Sequence, residues 1–277
     1  MPLFTKNIVQ TSISSQSSAH SSLSSSMLGN TSEIRVVTSK DYKLAAACLI
    51  DAFSKDEVAT YFTNCSDTVG WSTERKWNLH VQIMNAMTYA HVKFGTAHAI
   101  GNGDGGTYDA VALWMPPGTD MDSYLAMLKN GVLWKGIKTF RMLSKEGRNR
   151  FFKEFFSLLT ITKVEVLKER DPSSWYLVYL GTHSRARGKG LAKKLVTEVT
   201  NQADAENRAC YLESSNIVNI PIYQKMGFRV CKQISLQRAE ENVSLDIMVR
   251  EPHPVESSNV TTPIGSLESA HLQTIQV

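Results

Sequence analysis

The stretch His183-Ser184-Arg185-Ala186-Arg187-Gly188-Lys189-Gly190-Leu191 sets two glycines and three basic side chains just ahead of an amphipathic run. Glycine lets the backbone come close to a ligand, and a helix start offers unpaired N–H groups at the positive end of its dipole. The chemistry such a loop can do is anion capture, with phosphate as the natural occupant. Two phosphate loops are excluded by position. A P-loop would need glycine where His183 stands and Ser or Thr where Gly190 stands. A dinucleotide fingerprint would need a third glycine where Lys193 stands. What remains is R-x-x-G-x-G, which taken alone an ordinary tight turn also explains.

The surrounding pattern decides what holds the loop. Trp175 to Thr182 is almost wholly apolar, as in a central strand buried on both faces, and it runs straight into the loop. Beyond it, Leu191, Leu195, Val196, Val199 and Ala203 recur at helical spacing, and Cys210-Tyr211-Leu212 reads as the next strand. The loop therefore joins a strand to a helix inside a strand-loop-helix-strand unit.

Further upstream, Ile34-Arg35-Val36-Val37 reads as a short strand, followed by a Thr38-Ser39 cap and the helical run Tyr42 to Phe53. The stretch Thr73 to Phe94 is a longer helix, with Trp77, Val81, Met84 and Met87 expected on one buried face. Strands are expected over Thr96 to Ile100 and Tyr108 to Met115, joined by the hairpin chemistry of residues 101 to 106 and stopped by Pro116-Pro117-Gly118. Ser123 to Lys168 reads as a helical layer rich in Leu, Phe, Met and Trp, which packs on the sheet or lines a pocket.

Composition removes several function classes. The 277 residues are 42% hydrophobic, enough for a proper core, and the net charge of +4 comes without a Lys/Arg block, so no nucleic-acid partner is expected. Cys48, Cys65, Cys210 and Cys231 lie far apart with no C-x-x-C, which argues against a zinc site and a disulfide framework; they read as reduced thiols filling the core. No apolar run approaches the roughly 20 residues of a membrane helix, and no secretory signal opens the chain, so a cytoplasmic protein is expected. Residues 1 to 32 are Ser-rich and lack Asp and Glu, and read as a disordered tail. Arginines that would suit a transit peptide are missing before Arg35. Residues 251 to 277 read as a second loose tail, leaving one domain over 33 to 250.

Arg185-x-x-Gly188-x-Gly190 after a buried strand resembles the acetyl-CoA loop of the GNAT superfamily of N-acetyltransferases. Downstream, Glu213 to Phe228 agrees, with an Asn followed by a helix reading Tyr223-x-x-x-Gly227-Phe228. The segments Ala110 to Pro117 and Asp51-Ala52-Phe53 resemble the puromycin N-acetyltransferase-like branch and its fungal relatives. The resemblance covers about 33 to 250 and is strongest over 175 to 230. It implies a twisted mixed α/β sheet with helices on both faces, splayed between the strands near Leu180 and Leu212.

By the same resemblance, N–H groups from Arg187 through Leu191 hold the pyrophosphate of acetyl-CoA, the cosubstrate. The strand edge at Leu180 to Thr182 pairs with the pantetheine arm as an added strand would. Arg185, Arg187 and Lys189 are candidate phosphate partners, with plain solvation as the alternative. Asn216, seven residues before Tyr223, is the candidate pantetheine contact; Asn219 is the alternative, and either could simply cap the helix. Tyr223 matches the tyrosine that protonates the leaving thiolate, with a core role as its alternative.

The base stays open between Glu213, which ends its strand where the sheet should splay and is preferred, His183 after the buried strand, and a water. His80, His91 and His98 show no ligand spacing, and no metal is expected. The expected reaction is direct acetyl transfer to a primary amine of a small, apolar or aromatic molecule, in detoxification or secondary metabolism. The alternatives are acetylation of a protein lysine or N-terminus, or a non-catalytic acyl-CoA-binding regulator. Oligomeric state is not legible.

Overall fold

A computed structural model describes residues 33–119, Thr139 and 141–253. The tails expected at 1 to 32 and 251 to 277 lie outside the described residues apart from 251–253. So do residues 123–138 and 140 of the helical layer expected over 123 to 168.

Seven strands form one sheet in the order β1-β2-β3-β4-β5-β7-β6. They are β1 (Ile34–Val36), β2 (Thr96–Ile100), β3 (Ala110–Met115), β4 (Trp175–Thr182), β5 (Cys210–Ser214), β6 (Arg229–Leu236) and β7 (Val243–Arg250). Every neighbouring pair is antiparallel except β4 and β5, which run parallel. That parallel pairing lasts for only three residue pairs, Trp175↔Cys210, Tyr176↔Tyr211 and Leu177↔Leu212. Past Leu177, β4 stays bonded to β3 up to Thr182, while β5 stays bonded to β7 up to Ser214. The sheet thus splits along its middle, two to three residues earlier on β4 than the Leu180 expected.

The alternation of side chains across a strand divides the core in two. One cluster contains Val111, Leu113, Tyr176, Tyr211 and Ile247, and is covered by α1 (Tyr42–Ala52), α3 (Thr73–Phe94) and the Phe-rich helix described below. The other contains Ala112, Trp114, Leu177, Leu212 and Met248, and is covered by the long helix after the glycine loop. Consecutive residues of β3 serve opposite clusters and all six are buried, hence its unbroken apolar sequence.

A short α2 (Glu57–Tyr61) follows α1, capped by Asp56, whose carboxylate accepts from the Ala59 N–H at 3.0 Å. Further along, α4 (Lys145–Arg148) runs into a π-helical segment, Asn149–Phe155, and on into α5 (Phe156–Leu167). Arg150 is buried there and donates to the carbonyls of Tyr61, Asn64 and Arg238. These three bonds tie the wide-turned segment to α2 and to the β6–β7 connection. Later in the chain come α6 (Leu191–Ala205) and α7 (Ile220–Gln224).

Two expectations about packing are corrected. On α3, Met84 and Met87 are buried as expected, but Trp77 is 46% exposed; the inward face runs through Leu79, Ile83, Met87 and Ala90. The two stripes share residues, and the choice between them was made by the position of the sheet. Three of the four cysteines are buried, but Cys231 on β6 is exposed. Among the described residues, no helix is long and apolar enough to cross a membrane.

Candidate active site

The glycine loop is clamped at its first half and open at its second. Ser184 donates through its N–H to Asp51 at 2.7 Å and through its hydroxyl at 3.2 Å. Arg185 reaches back to the β2–β3 connection, donating to the Asp109 carboxylate at 3.1 Å and to the carbonyls of Asp104 and Thr107 at 3.0 and 3.2 Å. Its guanidinium is thus engaged in holding the loop. Arg187 donates to the Thr182 carbonyl at 3.4 Å, and Lys189 is exposed.

Gly188 and Gly190 have φ of 78° and 74°, a left-handed backbone that glycine adopts without strain. A side chain at either would meet nothing within 4 Å, so the space above the loop is open. Gly190 caps α6 without a side chain, and the first helical bond is Lys194 N–H to the Gly190 carbonyl at 3.1 Å. The N–H groups just before Lys194 have no helical carbonyl within reach, as at any helix start. The cradle fits a pyrophosphate.

From the loop the split leads inward. The β3–β4 register shifts between Leu113 and Trp114, so that Val178 is an extra residue and both Val178 and Tyr179 turn toward the α1–α3 side. Leu180 turns to the other side, where it packs on the second cluster with Leu191, Ile220 and Tyr223. The Tyr223 ring meets Phe228 edge-on at 5.9 Å, and burial pushes its phenol up to about 12. Asn216 caps the turn Ile217–Asn219 by accepting from the Val218 N–H at 3.0 Å, whereas Asn219 makes no side-chain cap to α7.

On the opposite face the split opens into a pocket whose empty space, mouth and open solvent included, is about 830 Å³. Its walls are aromatic and apolar: Phe53, Phe62, Met84, Phe151, Phe155, Tyr179. The π-helical stretch and the start of α5 turn Phe151, Phe155, Phe156 and Leu159 all into it, a use of wide helical turns that recurs at functional sites.

Two carboxylates interrupt the apolar wall. Asp56 is tied down by the Ala59 N–H and by the Ser215 hydroxyl at 2.5 Å. Glu213 is different. Burial dominates its environment and pushes the carboxyl up to about 7, although the Tyr176 and Tyr211 phenols and the Lys163 ammonium each pull it down. The two phenols lie close, yet neither Oε1 of Glu213 nor the Tyr211 hydroxyl has a hydrogen-bond partner of good geometry. A half-ionised carboxylate at neutral pH, with one oxygen unengaged, has the properties of a proton acceptor.

The structure thus brings Glu213 to the pocket side of the split and Tyr223, Leu180 and Leu191 to the loop side. His183 is outside the pocket wall: its Nδ1 accepts from the Arg185 N–H at 3.3 Å and sits 3.8 Å from Asp51. His91 is fully buried and pushed down to about 4, while His80 lines the pocket and donates through its Nε2 to the Ile50 carbonyl, 3.1 Å away. Sequence reasoning missed the clamps Asp51 and Asp109, the capping Asp56 and the flanking Tyr176. Tyr211 could have been found, because two residues before Glu213 on a strand means the same face.

The model of the acetyltransferase (GNAT) family matches residues 156–228. An uncharacterised N-acetyltransferase of Schizosaccharomyces pombe is 42% identical over 216 residues, covering 78% of this chain and 82% of the relative. Among solved structures, arylalkylamine N-acetyltransferase 2 from Aedes aegypti superposes with a TM-score of 0.52 at 18% identity, over 80% of this chain and 99% of that one. The Drosophila melanogaster polyamine N-acetyltransferase gives 0.50 at 13%, over 79% and 99%. The structural neighbours speak for the fold, and the fungal relative, matched across most of both chains, for the family: this chain belongs to the GNAT acetyltransferases.

Proposed function

We propose that this N-acetyltransferase moves the acetyl group of acetyl-CoA to the primary amine of a small molecule with an apolar or aromatic body. The observation that carries the reading is Glu213, a carboxylate with raised proton affinity in the wall of an aromatic pocket at the split. Main-chain N–H groups from Arg187 to Leu191 hold the pyrophosphate, and the unpaired edge of β4 at Leu180 to Thr182 takes the pantetheine arm; the glycine geometry and the early end of the β4–β5 ladder support both.

Glu213 accepts the proton of the attacking amine as its nitrogen bonds to the thioester carbonyl carbon. The carbon–sulfur bond then breaks, and Tyr223, kept protonated by burial, gives its proton to the leaving sulfur. The products are the amide and CoA thiol. A covalent enzyme intermediate has no support: burial pushes the Cys210 thiol up to about 12, so it carries little thiolate.

Two structural neighbours are named for small amines, arylalkylamines in one and polyamines, with formation of N-acetylagmatine, in the other, which agrees with a small-molecule acceptor. A cytoplasmic setting is proposed with it, since all four cysteines are free. Release of CoA thiol from acetyl-CoA, measured against arylalkylamines, polyamines, aminonucleosides and histone peptides, tests the reading. Turnover concentrated in apolar small amines is expected. Turnover with the peptides alone, or CoA binding without turnover on any acceptor, would overturn it.

A further inference from the structure

Behind the pocket wall lies a buried ion pair that the proposed chemistry does not use. Lys163 on α5 is 4% exposed at its side chain and pairs with Asp171, 16% exposed, in the turn that precedes β4. Buried pairs contribute little net stability, because the cost of removing two charges from water offsets their attraction; apolar residues of similar volume often serve as well. What distinguishes this pair is its location. The Lys163 Nζ lies 5.6 Å from the centre of the Tyr176 ring. Tyr176 meets Tyr211 edge-on at 5.5 Å, and the two strands carry these rings side by side through the Tyr176↔Tyr211 register. Both phenols flank Glu213.

We infer that Lys163, held in place by Asp171, is a positioning residue for acetyl transfer: it fixes the Tyr176 ring against Glu213 and sets the pH at which that carboxylate can take the amine's proton. The inference rests on Glu213 as the base. The groups that face Glu213 are Tyr211 on its own strand, Tyr176 on β4, Lys163 on α5 with Asp171 behind it, and, around the same pocket, Asp56, His80 and Tyr179. Burial pulls His80 toward its neutral form, and the Asp56 carboxylate is held by two donors. Lys163 supplies the positive charge that favours an ionised Glu213, and Asp171 tempers it.

Two opposite shifts follow, which loss of packing alone would not produce. The acid limb of the kcat/KM profile is measured for a single amine acceptor, whose own ionisation is common to all variants. Lys163→Met is expected to move the limb to higher pH by roughly one unit, Asp171→Asn to move it to lower pH, and Lys163→Arg to leave it near the wild-type position. If Lys163→Met does not fold, the double variant Lys163→Met/Asp171→Asn, which leaves no unpaired ion, replaces it; a smaller rise is expected, because Lys163 acts on Glu213 and Asp171 only tempers it. Folded variants that all keep the wild-type limb would overturn the inference. Glu213→Gln is run beside them. If it retains the acid limb, the base assignment fails and takes this inference with it; if it loses the limb while Lys163→Met does not move it, this inference alone fails.

Discussion

Glu213 stands where two phenols and a lysine make up only part of the water it has lost, and that shortfall gives it a working range near neutrality. Glu213→Gln is expected to lower kcat/KM by about 10²–10⁴ and to flatten its acid limb, read from initial rates between pH 5.5 and 9 on the order of the usual assay range. The same carboxyl affects stability in a definite direction. With its folded value raised to about 7 from the ordinary 4.5, the native state holds the proton longer than the unfolded chain does. Stability is therefore lost as pH rises through that window. Melting curves should show Glu213→Gln gaining on the wild type above the window and not below it. Tyr223→Phe should lower kcat by about a hundredfold, at the lower end of acid catalysis, with the KM for acetyl-CoA little changed. Unchanged kcat in that variant would remove Tyr223 from the reaction. Glu213 and Tyr223 could be singled out in the sequence because each belongs to a local segment of recognisable order. Tyr176, Lys163 and Asp56 could not, because what matters about them is contact with residues distant in the chain.

At the scale of elements, the loop works because one half is held and the other left open. Asp51 at the end of α1 and Asp109 before β3 both bind its first residues, so the loop is positioned by two elements remote from it in sequence. Arg185 is a candidate phosphate partner, and its Nε and one terminal nitrogen grip the β2–β3 connection. Since the Arg185–Asp109 pair is partly exposed, its loss should be modest. Arg185→Met is expected to raise the KM for acetyl-CoA about threefold to fivefold, on the order of 1 kcal/mol, and to leave kcat nearly unchanged. A fall in kcat with an unaltered KM would contradict the clamp. Spans were legible where local pattern suffices: α3 at Thr73–Phe94 and β4 at Trp175–Thr182 agree with the expected limits. The inward face of α3 was not, because apolar residues at helical spacing on Trp77, Val81, Met84 and Met87 compete with a second stripe, and the sheet selects between them. The extra residue at Val178 was also invisible, since a bulge depends on register with a neighbouring strand.

Across the whole molecule, the split in the sheet joins two sites that separate cores support. The α6 side offers main-chain donors to an anion, while the α1–α3–α5 side offers an aromatic pocket with a basic carboxylate. Neither side is complete without the early end of the β4–β5 ladder, through which their occupants would meet. We propose that the open half of the loop captures the coenzyme diphosphate and so aims a thioester into that split. Calorimetric titration of CoA into the wild-type protein and Gly188→Glu tests it most directly. Saturable one-site binding is expected for the wild type. The variant should bind at least about tenfold more weakly, from left-handed strain of roughly 1–2 kcal/mol together with repulsion between anions, while its melting curve in the absence of CoA stays cooperative. No saturable binding by the wild type, or equal affinity in a folded Gly188→Glu, would contradict the account.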